Sequence, residues 1–268
     1  MKYDLHTHTT FCDGKNTPEE MARAAYEKGF DVLGFSGHAH TPCDESYCMS
    51  ADDTAKYCER IAQIKREYAD KLEIYCGIEQ DLYSDMPAAG FDFVIGSVHY
   101  VKKDGEVIPV DESAEILQDA AKRLYGGNIL ALAEDYFKNV RMLAQMDRCD
   151  IAGHFDLITK FNEKTPLFDE SNERYVCAWQ SAARALVRAG IVVEINVGAM
   201  SRGYRKTPYP SLEQLKFIRE LGGEVIFSGD CHNAEALGYA MDEADILAKT
   251  TGFSELFAVH PLKRIKRR

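Results

Sequence analysis

Apolar residues in this chain come in short runs separated by longer stretches of mixed polarity. Seven runs, at 3–5, 32–35, 72–78, 93–98, 151–152, 191–195 and 225–227, are rich in β-branched and aromatic residues, as buried strands are. Between them the spacing of apolar positions changes to that of amphipathic helices, over 52–68, 129–146, 169–189, 211–221 and 234–250,. The clearest helix start is Thr17-Pro18-Glu19-Glu20. Thr17 is the N-cap, Pro18 occupies the first turn, and Glu20 reaches back to close a capping box, with Gly29 as the stop. Strands alternating with helices predict an α/β fold with right-handed crossovers and a parallel sheet or barrel. Residues 102–127 break that rhythm and read as an excursion inserted over the active face of one domain spanning 1–268, a length normal for an α/β barrel,. The basic tail 263–268 reads as a solvated terminus.

Most of the apolar runs hand over to a histidine or a carboxylate. His6-Thr7-His8 with Asp13, Ser36-Gly37-His38, Gly77-Ile78-Glu79, Ser97-Val98-His99, Gly153-His154 and Gly229-Asp230-Cys231-His232 sit at strand ends, and seven of the eight histidines lie in or beside them. Any one alone reads as a surface or satisfied core side chain. Their common position, at the C-terminal ends of parallel strands where α/β proteins place chemistry, points instead to a metal site. Residues i and i+2 of a strand face the same way about 6.6 Å apart, so His6 and His8 converge on one cation, as do Asp230 and His232. Imidazole suits zinc, iron or manganese, and the added carboxylates can bridge two ions.

Charge and cysteine usage exclude other classes. With 32 Lys and Arg against 43 Asp and Glu, the net charge of −11 argues against a nucleic-acid surface. The eight cysteines have no framework spacing, and no signal peptide or long apolar stretch is apparent, so a reduced cytoplasmic protein without membrane contact is expected,. Cys43 and Cys48 form at most a weak zinc pair, and Cys231 reads as packing. Nothing in the chain specifies an oligomeric state.

The order of the motifs, from Asp4-Leu5-His6-Thr7-His8 through Gly34-Phe35-Ser36-Gly37-His38, Gly77-Ile78-Glu79 and Gly96-Ser97-Val98-His99 to Ser228-Gly229-Asp230-Cys231-His232, resembles the polymerase and histidinol phosphatase (PHP) family. Within it the chain looks like the stand-alone histidinol-phosphatase branch, to which Pro208-Tyr209-Pro210 also points. The likeness spans residues 1 to about 240. It implies a distorted TIM-like (β/α)7 barrel, with two to three divalent metals (Zn, Fe or Mn) at the C-terminal rim of the parallel strands. By this resemblance His6, His8, Glu79 and Asp230 hold one ion, Asp13, His38 and His232 a second, and His99 and His154 a third that Glu79 bridges to the first. The residue before the fourth ligand, commonly acidic in the family, is Gly37 here. His40 is a rival to His38, because His38-Ala39-His40 repeats the same spacing.

Three divalent ions against the carboxylates Asp13, Glu79 and Asp230 leave a local charge of about +3, a pocket for a compact dianion on a repelling body. A terminal phosphate monoester fits. Metal-activated water then serves as nucleophile and no Ser or Cys is required. Arg202, followed by Lys160, is the expected phosphate contact, and Asn196 a substrate contact. Glu194, on the same strand face, is either a partner of the site or only satisfied within the barrel. His40 and Asp230 are candidate leaving-group acids, and His260 reads as structural. The resemblance implies hydrolysis of L-histidinol phosphate in histidine biosynthesis, with Asp44, Glu45, Asp81, Tyr83 and Tyr100 available for its cationic end. A phosphoesterase acting on a nucleotide or phosphodiester is the alternative, and a non-catalytic metal-binding scaffold the third reading.

Overall fold

The computed structural model describes residues 1–265, so the end of the basic tail lies outside the described residues. Eight parallel strands form two sheets. Strands β1 (Tyr3–Asp4), β2 (Val32–Phe35) and β3 (Glu73–Cys76) pair in that order. In the second sheet the order is β10 (Val225–Ser228), β9 (Val192–Asn196), β8 (Ile151–Ala152), β5 (Val94–Ser97) and β4 (Ile78–Asp81). Between β5 and β8 the chain adds the antiparallel hairpin of β6 (Tyr100–Lys103) and β7 (Glu106–Pro109).

The helices are α1 (Pro18–Glu27), α2 (Ala51–Glu67), α3 (Ala114–Leu124), α4 (Ile129–Met142), α5 (Glu173–Arg188), α6 (Gly198–Ser201), α7 (Leu212–Glu220), α8 (Met241–Thr250) and α9 (Pro261–Arg264). The predicted Thr17–Glu20 capping box is present, and Ser211 with Gln214 forms another at α7. Each box satisfies otherwise orphaned N–H groups of the first turn. The buried faces of α1, α2, α4, α5 and α7 pack on one core with the parallel strands, all of which except β3 are buried throughout.

Three expectations change. The run 72–78 is not one strand, because Gly77 interrupts it. A Cβ at Gly77 would lie 2.3 Å from Cζ of Phe93, so the strand passes there only as glycine. The helix expected over 234–250 is a short 3-10 turn, Ala234–Ala236, followed by α8. Gly238 (φ +83°) and Ala240 (φ +50°) take left-handed backbone that an α-helix cannot continue through,. Finally, hydrogen bonding does not run around one closed barrel. The seams between the sheets carry only isolated parallel bridges, Thr7 with Cys231 and His38 with Glu79.

Both seams fall on or between candidate ligands. His8 N–H donates to the Cys231 carbonyl (2.9 Å) and Cys231 N–H to that of His6 (3.0 Å). On the other side Glu79 N–H donates to Gly37 (3.1 Å) and Ala39 N–H to Glu79 (2.8 Å). The excursion expected at 102–127 is the β6–β7 hairpin followed by α3. It brings Asp111 to the cavity that His38 and Glu79 line.

Candidate metal centre

His6 and His8 leave the end of β1, His38 follows β2, Glu79 lies in β4, His99 follows β5, His154 follows β8, and Asp230 and His232 follow β10. The folded chain brings them to one place, with Glu79 at the centre. Its Oε2 lies 3.0 Å from His38 Nδ1, 3.2 Å from His6 Nε2 and 3.5 Å from His8 Nε2. Its Oε1 lies 3.1 Å from His154 Nε2 and 3.6 Å from His99 Nε2, and accepts from Ser97 Oγ at 2.5 Å. Asp13 lies 3.1 Å from His232 Nε2 and 3.6 Å from both His8 and His38.

The donor atoms form three groups able to hold an ion: His8, Asp13, His38 and His232; His6, His8 and Glu79; and His38, Glu79 and His99. His8 therefore belongs as much with Asp13 and His232 as with His6. The reason is ring packing, since His8 stacks on His232 with centroids 4.1 Å apart.

Several of these atoms are buried without a hydrogen-bond partner: His6 Nε2, His8 Nε2, Glu79 Oε2 and His154 Nδ1. Orphaned buried polar atoms cost about 1–3 kcal/mol each, and imidazoles this close repel if protonated. Divalent ions would remove both penalties at His6 Nε2, His8 Nε2 and Glu79 Oε2, which face one another, so the donor set fits them.

Charge is arranged in the same sense. Burial opposes ionisation of Glu79, yet His6 and His38 hold it well below the usual carboxylate range. Asp230 is held down likewise, against burial, by Arg202 and His6. Burial, with His232 and His38 adding repulsion, lowers His8 to about 3, leaving it neutral as a ligand must be,. Burial disfavours charge at His99 too, but Asp81 and Glu79 raise it to about 9.

A second ring of side chains orients these groups. Glu194 Oε1 sits 2.7 Å from His6 Nδ1, while its Oε2 accepts from His154 N–H (3.1 Å) and Asn196 Nδ2 (3.0 Å). Glu194 is thus a working partner of the site, turning His6 Nε2 towards the cluster. Asp81 does the same for His99, accepting its N–H at 2.8 Å and lying 3.3 Å from Nδ1. Asp4 accepts from His6 N–H (3.0 Å) and Gly229 N–H (3.1 Å), tying the two outer ligand turns together. Their signal in sequence was position, since Asp4 and Glu194 sit on buried strands where a charge needs a partner.

Two candidate ligands, neither of which joins the three groups above, stand on positive-φ backbone, His154 (φ 21°) and Asp230 (φ 48°), conformations held only where surroundings enforce them. At Asp230 the enforcement is visible. Gly198 leaves room for its carboxylate, which a Cβ there would meet at 2.6 Å.

Comparisons with known proteins identify the family. The PHP domain profile matches residues 4–198. The chain belongs to the PHP domain family. It is 29% identical over 263 residues to the probable histidinol-phosphatase of Schizosaccharomyces pombe, covering 89% of this chain and 83% of that one. Against the histidinol-phosphatase of Bacillus subtilis it is 26% identical over 266 residues, covering 90% and 97%. Its fold matches the Lactococcus lactis histidinol phosphate phosphatase, crystallised with Zn, L-histidinol and phosphate, with a TM-score of 0.71, 21% identity and 99% of each chain covered.

The cluster of this PHP-domain protein opens into a cavity of about 320 Å³ lined by Asp13, His38, Glu79, His99, His154, Asp230 and His232, together with Arg202, Lys160, Asp44, Tyr47, Tyr100 and Asp111. Arg202 is placed as expected at its edge. Its guanidinium donates to the Asp230 carbonyl (2.9 Å) and carboxylate (3.1 Å) and lies 3.0 Å from His232 Nδ1. Lys160 also reaches the cavity, but its Nζ is held by Asp111, by the carbonyl at 2.7 Å and the carboxylate at 3.3 Å.

Two expected contacts are not brought there. Asn196 is fully buried beneath the site, bonded to Glu194 and capping Gly198 N–H at 2.9 Å. His40 points off the cavity, with Nδ1 2.7 Å from Asp85 and Nε2 3.4 Å from Glu45. The second histidine of His-Ala-His thus pairs with two acidic side chains and does not line the cavity. His260 caps α9 away from the site. Cys48 is engaged with Thr41 and Asp44 backbone, and Cys43 and Cys48 join no ligand group among the described residues. Of the five residues considered for a cationic group, Asp44 and Tyr100 line the cavity, 2.9 Å apart. Asp81 is taken up by His99, Glu45 by His40 and Tyr83 by Asn139.

Proposed function

We propose that this PHP-domain protein is a metal-dependent phosphomonoesterase that hydrolyses L-histidinol phosphate to L-histidinol and phosphate, using two to three divalent ions of Zn, Fe or Mn. The observation that carries the reading is Glu79, which lines a cavity also lined by arginine and lysine and whose two carboxylate oxygens face five imidazoles, those of His38, His99 and His154 lining the same cavity. The relatives' names supply the amino-alcohol substrate. The two parallel sheets and their single-bridge seams are read as one distorted (β/α)7 ring, whose C-terminal rim holds the site.

When bound, divalent ions supply activation of water near neutral pH and neutralise charge on a phosphoryl group. The ligands for them are His6, His8, Asp13, His38, Glu79, His99, His154, Asp230 and His232. Arg202, fixed through Asp230, presents its remaining N–H groups to phosphate oxygens. Lys160 adds charge that Asp111 partly offsets. Asp230, kept ionised by Arg202 and His6, acts as ligand and not as acid. At the mouth, Asp44 and the rings of Tyr47 and Tyr100 suit a cationic imidazole or amine. No helix among the described residues is long and apolar enough to cross a membrane.

The test is turnover by metal-replete protein of L-histidinol phosphate, a nucleoside monophosphate and a phosphodiester. Preference for L-histidinol phosphate, lost on chelation and restored by metal, is expected. Diester preference would establish the nucleotide reading instead, and fewer than two bound ions after reconstitution would leave only a scaffold.

A further inference from the structure

Cys58 projects from α2 and Cys76 ends β3, and the two sulfurs lie 3.9 Å apart, both half-buried and so within reach of a small solute. The Cys76 thiol donates to Cys58, an arrangement that favours a thiolate on Cys58 and lowers its pKa,. The surroundings hold both partners in place. Tyr57, beside Cys58, is wholly buried, donates to the Gly77 carbonyl (2.9 Å) and accepts from Gly37 N–H at 3.4 Å. Cys76 N–H is fixed by the Asp92 carboxylate (2.9 Å) and its carbonyl by Asp92 N–H (2.7 Å). Three other cysteines are engaged elsewhere. Cys231 donates to Asp4, Cys149 to the Ile151 carbonyl, and Cys12 lies against His8.

We infer that Cys58 and Cys76 form a peroxide-responsive thiol pair that closes to a disulfide, stapling α2 to the strand that leads into Glu79. In the first step the Cys58 thiolate attacks one peroxide oxygen. The O–O bond breaks, and the departing hydroxide takes up the proton Cys58 released, leaving Cys58 sulfenic acid and one water. The Cys76 sulfur then attacks the Cys58 sulfur, the S–O bond breaks, and hydroxide leaves with the Cys76 proton as a second water. Two thiols lose two electrons to one peroxide. The backbone on both sides is tied by Tyr57 and Asp92, so closure draws on rotation of the two side chains, whose sulfurs start 3.9 Å apart. The crosslink lies outside the ligand face, so it fastens the Gly77 break without occupying the cavity.

The experiment uses the full-length, zinc-loaded chain carrying C177S, which removes the exposed thiol. After treatment with hydrogen peroxide and blocking of free thiols, a non-reducing peptide map is expected to show the Cys58–Cys76 linked peptide. Two titratable thiols should be lost, both recovered with dithiothreitol. The oxidised protein should melt higher than the reduced one, and C58S should abolish that increase. Loss of thiols without the linked peptide, pairing of either cysteine elsewhere, or oxidation of Cys58 to sulfinic acid with Cys76 still free would each overturn the inference.

Discussion

Glu194→Gln separates the orienting role of the second ring from the ligands themselves. The substitution keeps the side-chain shape but replaces one carboxylate oxygen with an NH2 group. Glu194 faces three donors or ring nitrogens: His6 Nδ1 at 2.7 Å, His154 N–H at 3.1 Å and Asn196 Nδ2 at 3.0 Å. A glutamine that keeps its oxygen on His6 turns its NH2 against two N–H donors, leaving each short of an acceptor at about 1–3 kcal/mol. Flipped, it satisfies those two but offers a donor to His6 Nδ1, forcing the proton to Nε2, the atom that faces the cluster. Either way the expected loss in metal affinity is about 10–100-fold, the range for partners of metal-ligating histidines. Chelator competition with zinc reads the affinity, and kcat at saturating zinc should recover most of the wild-type value. E194Q binding zinc as tightly as wild type, with unchanged kcat/KM at limiting metal, would refute the orienting role.

Other expected outcomes are smaller in scope. Arg202→Ala should raise KM and lower kcat, together costing about 2–4 kcal/mol of transition-state binding as for loss of a charge-assisted donor; unchanged kinetics would remove Arg202 from phosphate binding. His40→Asn should keep kcat/KM within about threefold, since His40 faces Asp85 and Glu45 rather than the cavity; a collapse of kcat with altered pH profile would restore it as an acid. Burial lifts the Asp156 carboxyl to about 7, against the opposing charge of Arg205, and neither carboxylate oxygen has a hydrogen-bond partner. From about pH 4 to 7 the unfolded chain has therefore lost a proton that the folded chain keeps, so Asp156 lowers stability as pH rises through this window, by up to about 4 kcal/mol. Asp156→Asn has no such proton, and its Tm relative to wild type should climb between pH 5 and pH 8; a constant difference would mean that the carboxyl is already ionised in the folded state.

Read alone, the chain put its candidate ligands at strand ends and named the side chains that the fold then gathers into one cluster. That information is local, because a period of two places His6 with His8 and Asp230 with His232, and apolar runs mark the strands that deliver them. The capping box at Thr17 was equally local, being a matter of a few consecutive peptide units. Grouping was not. Which ions share His8, why Glu79 rather than Asp230 is the hub, and how Glu194 serves His6 across 188 residues of sequence depend on the distances between strands and on ring stacking. The same holds for the placement of His40 and Asn196, both expected at the cavity and neither lining it. A turn after His38 and a residue's depth along β9 decide whether a side chain sees the cavity or the core, and neither leaves a mark in the order of residues. The break between β3 and β4 was likewise a tertiary outcome, since Gly77 must yield its side-chain volume to Phe93, the residue that leads into the neighbouring strand β5.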